Sequence, residues 1–421
     1  MNIRINGTVG GEVKIPESKS QAHRLLICAA LADKESRIEC QALNDDIERT
    51  AECLNALGAR ISYENGIFTV CSIASATKNA TLDCGESGST LRFMLPVAAA
   101  LGADATFIGR GRLPQRPLSP LYERMEEHGV QMSGNGKMPL ICNGTLQGGE
   151  YEIAANISSQ FISGLLFALP LTGEESSIVL QGKLESGSYI EMTLDALKMF
   201  GVEIERGVKK LIVHKGQKYT SPGDICVEGD WSAAAFWLVA GVTGENPITC
   251  TGLNTDTSRQ GDRAVVDMLQ KMGGRIVRNG NDYTAYPSQL NGCLIDCHDT
   301  PDLVPALAVA AAFAEGTTTF DNIARLRIKE SDRVATVCEM LASFGIKTES
   351  TENRLTVYGG KPTGGKVNSF GDHRIAMAGA VAGLAAEGTT EIMGAECVSK
   401  SYPAFFDHLK ALGGEATQTE Q

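Results

Sequence analysis

The sequence predicts an α/β protein of two lobes, each built from three similar units with helices buried inside them. Six segments, CLNALGARI, RMEEHGVQM, LKMFGVEI, MLQKMGGRI, MLASFGIKT and HLKALGGEA, each read as the end of an amphipathic helix stopped by glycine. Those glycines, Gly58, Gly129, Gly201, Gly273, Gly345 and Gly413, follow one another in steps of 71, 72, 72, 72 and 68 residues. A second landmark, an alanine-rich helix that breaks and re-enters a β-type run, recurs at Asp33, Gly102, Gly173, Gly244, Gly316 and Gly388, in steps of 69, 71, 71, 72 and 72. Two landmarks sharing one period mark an internal repeat. Glycine suits a position just past a helix end, where a left-handed backbone would penalise any Cβ. Strand-like and helix-like patterns alternate, which is the third observation and favours α/β. A chain of 421 residues exceeds one ordinary core, so six equal units divide into two lobes of three. The phase of the repeat puts their boundary near residue 228.

Composition narrows the function. A net charge of -12 with 6% aromatic residues argues against a nucleic-acid binder, which would show a basic surface and stacking side chains. Small anionic molecules are the expected partners, because a local basic cleft can exist on an acidic protein. The longest apolar stretches, such as LVPALAVAAAFA from Leu303, fall short of the roughly 20 residues a membrane span needs. The opening MNIRINGTVGG lacks the basic-then-apolar pattern of a secretion signal, so a cytoplasmic location is expected. Twelve cysteines without a framework fit a reducing compartment. Cys293, Cys297 and His298 are the one cluster with metal-like chemistry, but their spacing is unlike a structural zinc site and they read as structural. The chain is expected to be a monomer.

Along the chain, each unit shows two helices with β-runs such as TLDC, IVL, DICV, CLID and RLTVYG around them. The alanine-rich helices are apolar on nearly every side and should lie inside their lobe. They open with ESKSQAHRLL, GESGSTLRFM, NISSQFISGL, GDWSAAAFWL, TPDLVPALAV and GDHRIAMAGA, in that order. Hydroxyls and carboxylates at a helix start are ordinary caps, which accounts for Ser158 and Asp372 and is the favoured reading of Asp230 before Trp231. Capping does not account for Lys19, Arg24, His373 and Arg374, since cations there oppose the helix dipole unless an anion sits between them. The second helix class also starts among cations, in RGRLPQRPLS, RIKESDRVAT and SKSYPAFF. If the units are related by rotation within a lobe, these starts point to one end of it. A cleft lined by Lys19, Arg24, Arg112, Arg116, Lys329, Arg333, Arg374 and Lys400 would bind a ligand with several negative charges, phosphate and carboxylate being favoured by arginine forks.

At these residues the chain closely resembles the 5-enolpyruvylshikimate-3-phosphate synthase family, whose members join phosphoenolpyruvate to shikimate 3-phosphate. The matching segments are PESKSQAHR, GESGSTLR, RGRLPQRP, ISSQF, SGSY, TPDLVPALA, RIKESDR, GDHRIAMA and SKSYP, in the family's order and spacing. The resemblance implies two lobes, each an inside-out α/β barrel of three βαβαββ-like repeats. It also implies that the first strand joins the C-terminal lobe, giving a discontinuous domain of 1–17 plus 229–421 around 18–228, with the active site in the cleft between them.

By the same resemblance, Lys19, Ser20, Arg24, Ser158, Ser159, Gln160, Ser186, Tyr189, Asp302 and Lys329 bind shikimate 3-phosphate. Phosphoenolpyruvate would lie against Gly88, Arg112, Arg333, Arg374 and Lys400, with Lys19 and Gln160 between the two ligands. Glu86 and Arg325 stand where the family usually has asparagine, and neither is placed in the site. The reaction needs an acid and a base. Asp302 is expected to accept the hydroxyl proton, and Glu330 to donate or relay one with help from Lys19. No metal or organic cofactor is required. Binding of the first ligand is expected to close the lobes, and Gly88 leaves room for glyphosate in the phosphoenolpyruvate subsite.

Blander readings stand beside these. Asp302 also reads as a helix cap, Glu330 as an i,i+3 partner of Arg333 on a solvated face, and His23 and His373 as packing or capping residues rather than general bases. Tyr189 reads as core or as ligand contact, and its SGSY context favours the ligand. Among functions, the sister enolpyruvyl transfer to a UDP-amino sugar is disfavoured, because GRGRLPQRPLS lacks that family's loop cysteine. A non-catalytic anion-binding relative is disfavoured by the presence of Asp302, Glu330 and Lys19. A nucleotide-binding domain has neither GxGxxG after a strand nor GxxxxGK[ST] to support it.

Overall fold

In each repeat a strand, a buried helix and a second strand make a crossover that leaves the two strands parallel. An outer helix then leads to two further strands, antiparallel to each other, one of which pairs antiparallel with the second strand. The second repeat shows this in full. Thr81–Asp83 lies parallel to Ala105–Ile108, which pairs antiparallel with Leu140–Gly144, itself paired with Val130–Met132. The sheet order is therefore first, second, fourth, third, and among the described residues six four-stranded sheets share it. The computed structural model describes residues 1–134, 137–154, 157–182 and 186–419.

Among the described residues twelve α-helices fill the repeats: α1 (Lys19–Leu31), α2 (Asp45–Ala56), α3 (Gly88–Ala100), α4 (Leu121–Glu127), α5 (Ser159–Ala168), α6 (Gly187–Met199), α7 (Trp231–Thr243), α8 (Val265–Lys271), α9 (Val304–Ala312), α10 (Arg333–Ser343), α11 (His373–Ala385) and α12 (Phe405–Ala411). The odd-numbered helices are the alanine-rich class and are the inner ones. Every residue of α9 is buried, as is all of α7 except Ser232 and Thr243. A helix apolar all round has no solvated face to offer, so sheets and amphipathic helices must surround it. Small residues permit close packing there. Gly164 of α5 lies so near the Arg92 carbonyl of α3 that even one methyl group would not fit.

The glycines of the first landmark, Gly58, Gly129, Gly201, Gly273, Gly345 and Gly413, all have φ between 76° and 110°, as a left-handed helix stop requires. The second landmark needs a correction, because Gly244 is extended at φ -87° and its repeat mate is the aspartate Asp33. At Gly244 the constraint is space, since a Cβ would sit 2.7 Å from the Ala240 carbonyl oxygen.

The chain forms two units, one of Met1–Pro16 with Glu228–Gln421 and one of Glu17–Val227. Three sheets draw a strand from outside their own stretch of sequence. Asn2–Asn6 pairs with Thr390–Met393 and Glu415–Thr419 to complete the last repeat, and Gly11–Lys14 lies parallel to Ile248–Thr251 as the first strand of the fourth. In the other unit Asp224–Cys226 lies parallel to Ser36–Glu39 and supplies the missing first strand of repeat one. Among the described residues no helix is long and apolar enough to cross a membrane.

Candidate active site

In the discontinuous unit the starts of three helices, α9, α10 and α11, meet around Arg333, the first residue of α10. Its side chain is 2% exposed. Nη1 donates to Asp302 Oδ1 at 2.8 Å, Nη2 to Glu330 Oε2 at 2.6 Å, and Nε to Asp372 Oδ2 at 2.8 Å. One guanidinium thus holds three carboxylates through its planar fork of five N–H donors. Asp302 is further met by Lys329 Nζ at 3.1 Å and by Arg374 Nη2 at 3.7 Å, while Arg374 Nη1 donates to the Asp302 carbonyl at 3.1 Å. Burial works to raise the Asp302 pKa, but Lys329, Arg374 and Arg333 outweigh it and hold the carboxyl well below the usual range. Burial lowers the Lys329 ammonium below its ordinary value despite the attraction of Asp302. Asp302 is therefore an ionised carboxylate at neutral pH, in a setting where further negative charge on a ligand meets several cations. Lys400 Nζ donates to the Gly371 carbonyl at 2.7 Å, which brings it to the start of α11.

Several blander expectations resolve here. Asp302 sits inside the turn Pro301–Leu303, whose cap residue is Thr300. Glu330 does pair with Arg333 at i,i+3, but the pair is largely withdrawn from solvent rather than on a wet face. Asp372 caps α11 through the Arg374 N–H at 3.0 Å and also binds Arg333, so it serves two roles. Asp230 caps α7 through the Ala233 N–H at 3.1 Å. Arg325 turns to the His298 carbonyl at 2.8 Å.

In the continuous unit a second cluster forms, again at helix starts. Lys19 Nζ pairs with Asp46 of α2 at 2.8 Å. Arg24 is buried and donates to Thr193 Oγ1 at 2.9 Å, the Ser20 carbonyl at 2.6 Å and the Tyr189 carbonyl at 2.9 Å, while its guanidinium lies over the Phe93 ring. Burial draws its pKa down to about 10. Gln160 receives a bond from Arg92 Nη1 at 2.6 Å and gives one to Ser89 Oγ at 2.8 Å, while Ser158 caps α5 through the Gln160 N–H at 3.3 Å. Ser159 is buried in the first turn of α5, and Ser186 is buried and left-handed at φ 53° just before α6. Gly88 faces Arg116 so closely that a Cβ would fall 2.5 Å from Nη1. Glu86 lies over the backbone of Gly111. Arg112 is exposed at the start of the turn Leu113–Gln115. His23 accepts or donates a 2.7 Å bond with Thr50 and is held neutral, its pKa lowered by burial and by Lys19 and Arg24.

Sequence reasoning passed over Asp46, Arg92 and the second role of Asp372. Arg92 left a signal, a lone cation inside the apolar run TLRFM, whereas nothing in the sequence points Asp46 at Lys19. Among the described residues no group of His, Cys, Asp or Glu is arranged to hold a metal, Cys293, Cys297 and His298 included.

Comparison with known proteins bears on this arrangement. The family model for EPSP synthase (3-phosphoshikimate 1-carboxyvinyltransferase) matches residues 3–409. A 3-phosphoshikimate 1-carboxyvinyltransferase of Clostridium kluyveri is 43% identical over 417 residues, covering 98% of this chain and 97% of the relative. Among solved structures, EPSP synthase from Acinetobacter baumannii superposes with a TM-score of 0.82 at 27% identity, covering 99% of this chain and 100% of that one. The enolpyruvyl transferase NikO from Streptomyces tendae, at 21% identity and a TM-score of 0.79 over 99% of this chain and 98% of its own, shares the fold. With its helix starts collecting cations in both units, this chain belongs to the EPSP synthase (3-phosphoshikimate 1-carboxyvinyltransferase) family.

Proposed function

We propose that the chain transfers the enolpyruvyl group of phosphoenolpyruvate to the 5-hydroxyl of shikimate 3-phosphate and releases phosphate, acting as a cytoplasmic monomer in aromatic biosynthesis. The observation that carries this reading is Arg333 holding Asp302, Glu330 and Asp372 together beside Lys329 and Arg374. Asp302 accepts the hydroxyl proton as the oxygen attacks C2 of phosphoenolpyruvate, and Glu330, assisted by Lys19, delivers a proton to C3. The resulting tetrahedral ketal phosphate loses phosphate and a methyl proton to give the enolpyruvyl ether. Lys329, Arg333, Arg374 and Lys400 stabilise the leaving phosphate by preorganised positive charge. Lys19, Ser20, Arg24, Ser158, Ser159, Gln160, Ser186 and Tyr189 hold shikimate 3-phosphate, and Gly88, Arg112 and Gln160 contribute to phosphoenolpyruvate.

Incubation with both substrates is expected to release one phosphate per enolpyruvyl product identified by mass. Binding of either ligand by calorimetry without turnover would instead indicate a silent anion binder or the sister transferase. Gly88→Ala tests the subsite beside Arg116. The methyl group must displace that guanidinium, at a cost of about 1–3 kcal/mol, so the KM for phosphoenolpyruvate is expected to rise by about 5- to 150-fold while shikimate 3-phosphate binding is unchanged. An unaltered KM for phosphoenolpyruvate would remove Gly88 from the site.

A further inference from the structure

Arg92 is the fifth residue of α3, in a stretch otherwise apolar from Leu91 to Ala100, and is 4% exposed. A cation carried into an apolar helix is costly and calls for an explanation. Its contacts supply one. Nη1 donates to Gln160 Oε1 at 2.6 Å, Nη2 donates to the Pro117 carbonyl at 3.1 Å, and the guanidinium carbon lies 5.4 Å from the centre of the Phe161 ring. The Pro117 bond and the Phe161 face fix the plane of the guanidinium. Gly164 lets α5 press against the Arg92 carbonyl, so the helices that carry Arg92 and Gln160 are held in direct contact. These bonds decide which way the Gln160 carboxamide points. The two ends of an amide have nearly the same shape, but a guanidinium has only hydrogens to give, so the atom beside Arg92 must be the oxygen. The NH2 group is turned away from it, gives one hydrogen to Ser89 Oγ at 2.8 Å and has a second to offer.

We propose that Arg92 is a positioning residue for the reaction, fixing the orientation of the Gln160 carboxamide so that Gln160 meets the ligands as an N–H donor. The proposal rests on the reading that Gln160 contacts shikimate 3-phosphate. An N–H suits the oxygens of a phosphate, a carboxylate or a hydroxyl, whereas an amide oxygen in its place would repel the anionic ones. With Arg92 present the amide is set before the ligand arrives, and binding does not have to freeze it. Arg92 acts on the ligand through Gln160 rather than by touching it.

Calorimetry with shikimate 3-phosphate across a double-mutant cycle tests this. Arg92→Met keeps a long unbranched stem and removes the donors, so the amide regains its rotational freedom. The Kd for shikimate 3-phosphate is expected to rise about 10-fold, the cost of freezing a glutamine side chain on binding. In a Gln160→Ala background the same substitution should change Kd by less than about 2-fold, because the side chain through which Arg92 acts is gone. A purely structural role would raise Kd equally in both backgrounds, and that result, or an unchanged Kd in Arg92→Met alone, overturns the proposal. Gln160→Glu probes the orientation with Arg92 in place. Its carboxylate still accepts from the guanidinium, so the fold is retained, but no N–H is left for the ligand and Kd is expected to rise by about 10-fold or more. Wild-type binding by that variant overturns the proposal. Gln160→Ala alone separates the underlying reading. If it leaves the Kd for shikimate 3-phosphate unchanged, Gln160 is not a ligand contact and both fall; if it raises Kd while the cycle is additive, only the role of Arg92 fails.

Discussion

Arg333→Ala is expected to destabilise the protein by about 3–5 kcal/mol in urea unfolding and to abolish turnover, the larger of the two stability effects anticipated here. The cost does not lie in the loss of three ion pairs as such, because bringing charges out of water offsets much of their attraction. It lies in what remains, since Asp302, Asp372 and Glu330 would be left gathered at one place without the cation that joins them. The pH dependence identifies this mechanism. Asp302 and Asp372 both have folded pKa values below the ordinary carboxylate value, each because its cations outweigh its burial. The stability they contribute is therefore present above the ordinary carboxylate range and lost as pH falls through their folded values. Without Arg333 that contribution shrinks, so the gap between wild type and variant should hold near neutral pH and narrow only as pH falls below the ordinary carboxylate value, through the folded values of Asp302 and Asp372. A gap independent of pH would show that the guanidinium acts by packing alone. Arg333→Lys should recover part of the charge but not the three-way geometry, and so fall between the two.

The contrast between Arg333 and Lys19 shows how far the sequence could be read. Both were legible as cations at a helix start, because a positive charge facing the helix dipole demands a compensating anion. For Arg333 one partner, Glu330, was legible at i,i+3, while Asp302 and Asp372 come from turns 31 and 39 residues away. For Lys19 the partner Asp46 was not legible, since α2 opens with Asp45 and Asp46 and a helix start rich in acids reads as ordinary capping. The repeat itself was legible because a glycine at a left-handed helix stop has few substitutes, as Gly58 and Gly413 show. The assembly of sheets was not. Asp224–Cys226 and Gly11–Lys14 are strands of three and four residues, too short to carry any pattern that names their partners across the chain. Only the resemblance to a family placed the first strand in the C-terminal lobe, and neither its place in the last repeat nor the strand that Asp224–Cys226 returns to repeat one was legible.

Asp302→Asn is expected to lower kcat by about 100- to 10,000-fold, the range for removal of a positioned general base, while shikimate 3-phosphate still binds by calorimetry. Asparagine preserves the shape of the side chain and can still accept bonds from Arg333 and Lys329, so the fold should survive with a smaller loss than Arg333→Ala. What it cannot do is take a proton from the substrate hydroxyl. The low pKa of Asp302 in the unliganded protein makes it a weak base at first sight, because Lys329, Arg374 and Arg333 stabilise its charge. If Lys329 and Arg374 bind ligand anions as proposed, each phosphate or carboxylate they engage would draw them away from Asp302 and raise its basicity at the moment of reaction. The acid limb of kcat should therefore lie at higher pH than the titration of Asp302 in the free protein, and carboxylate titration by NMR with and without shikimate 3-phosphate measures the difference. A variant that binds both substrates and retains wild-type kcat would assign the proton to another group. Glu330, 2.6 Å from the same Arg333, would then be the first to examine.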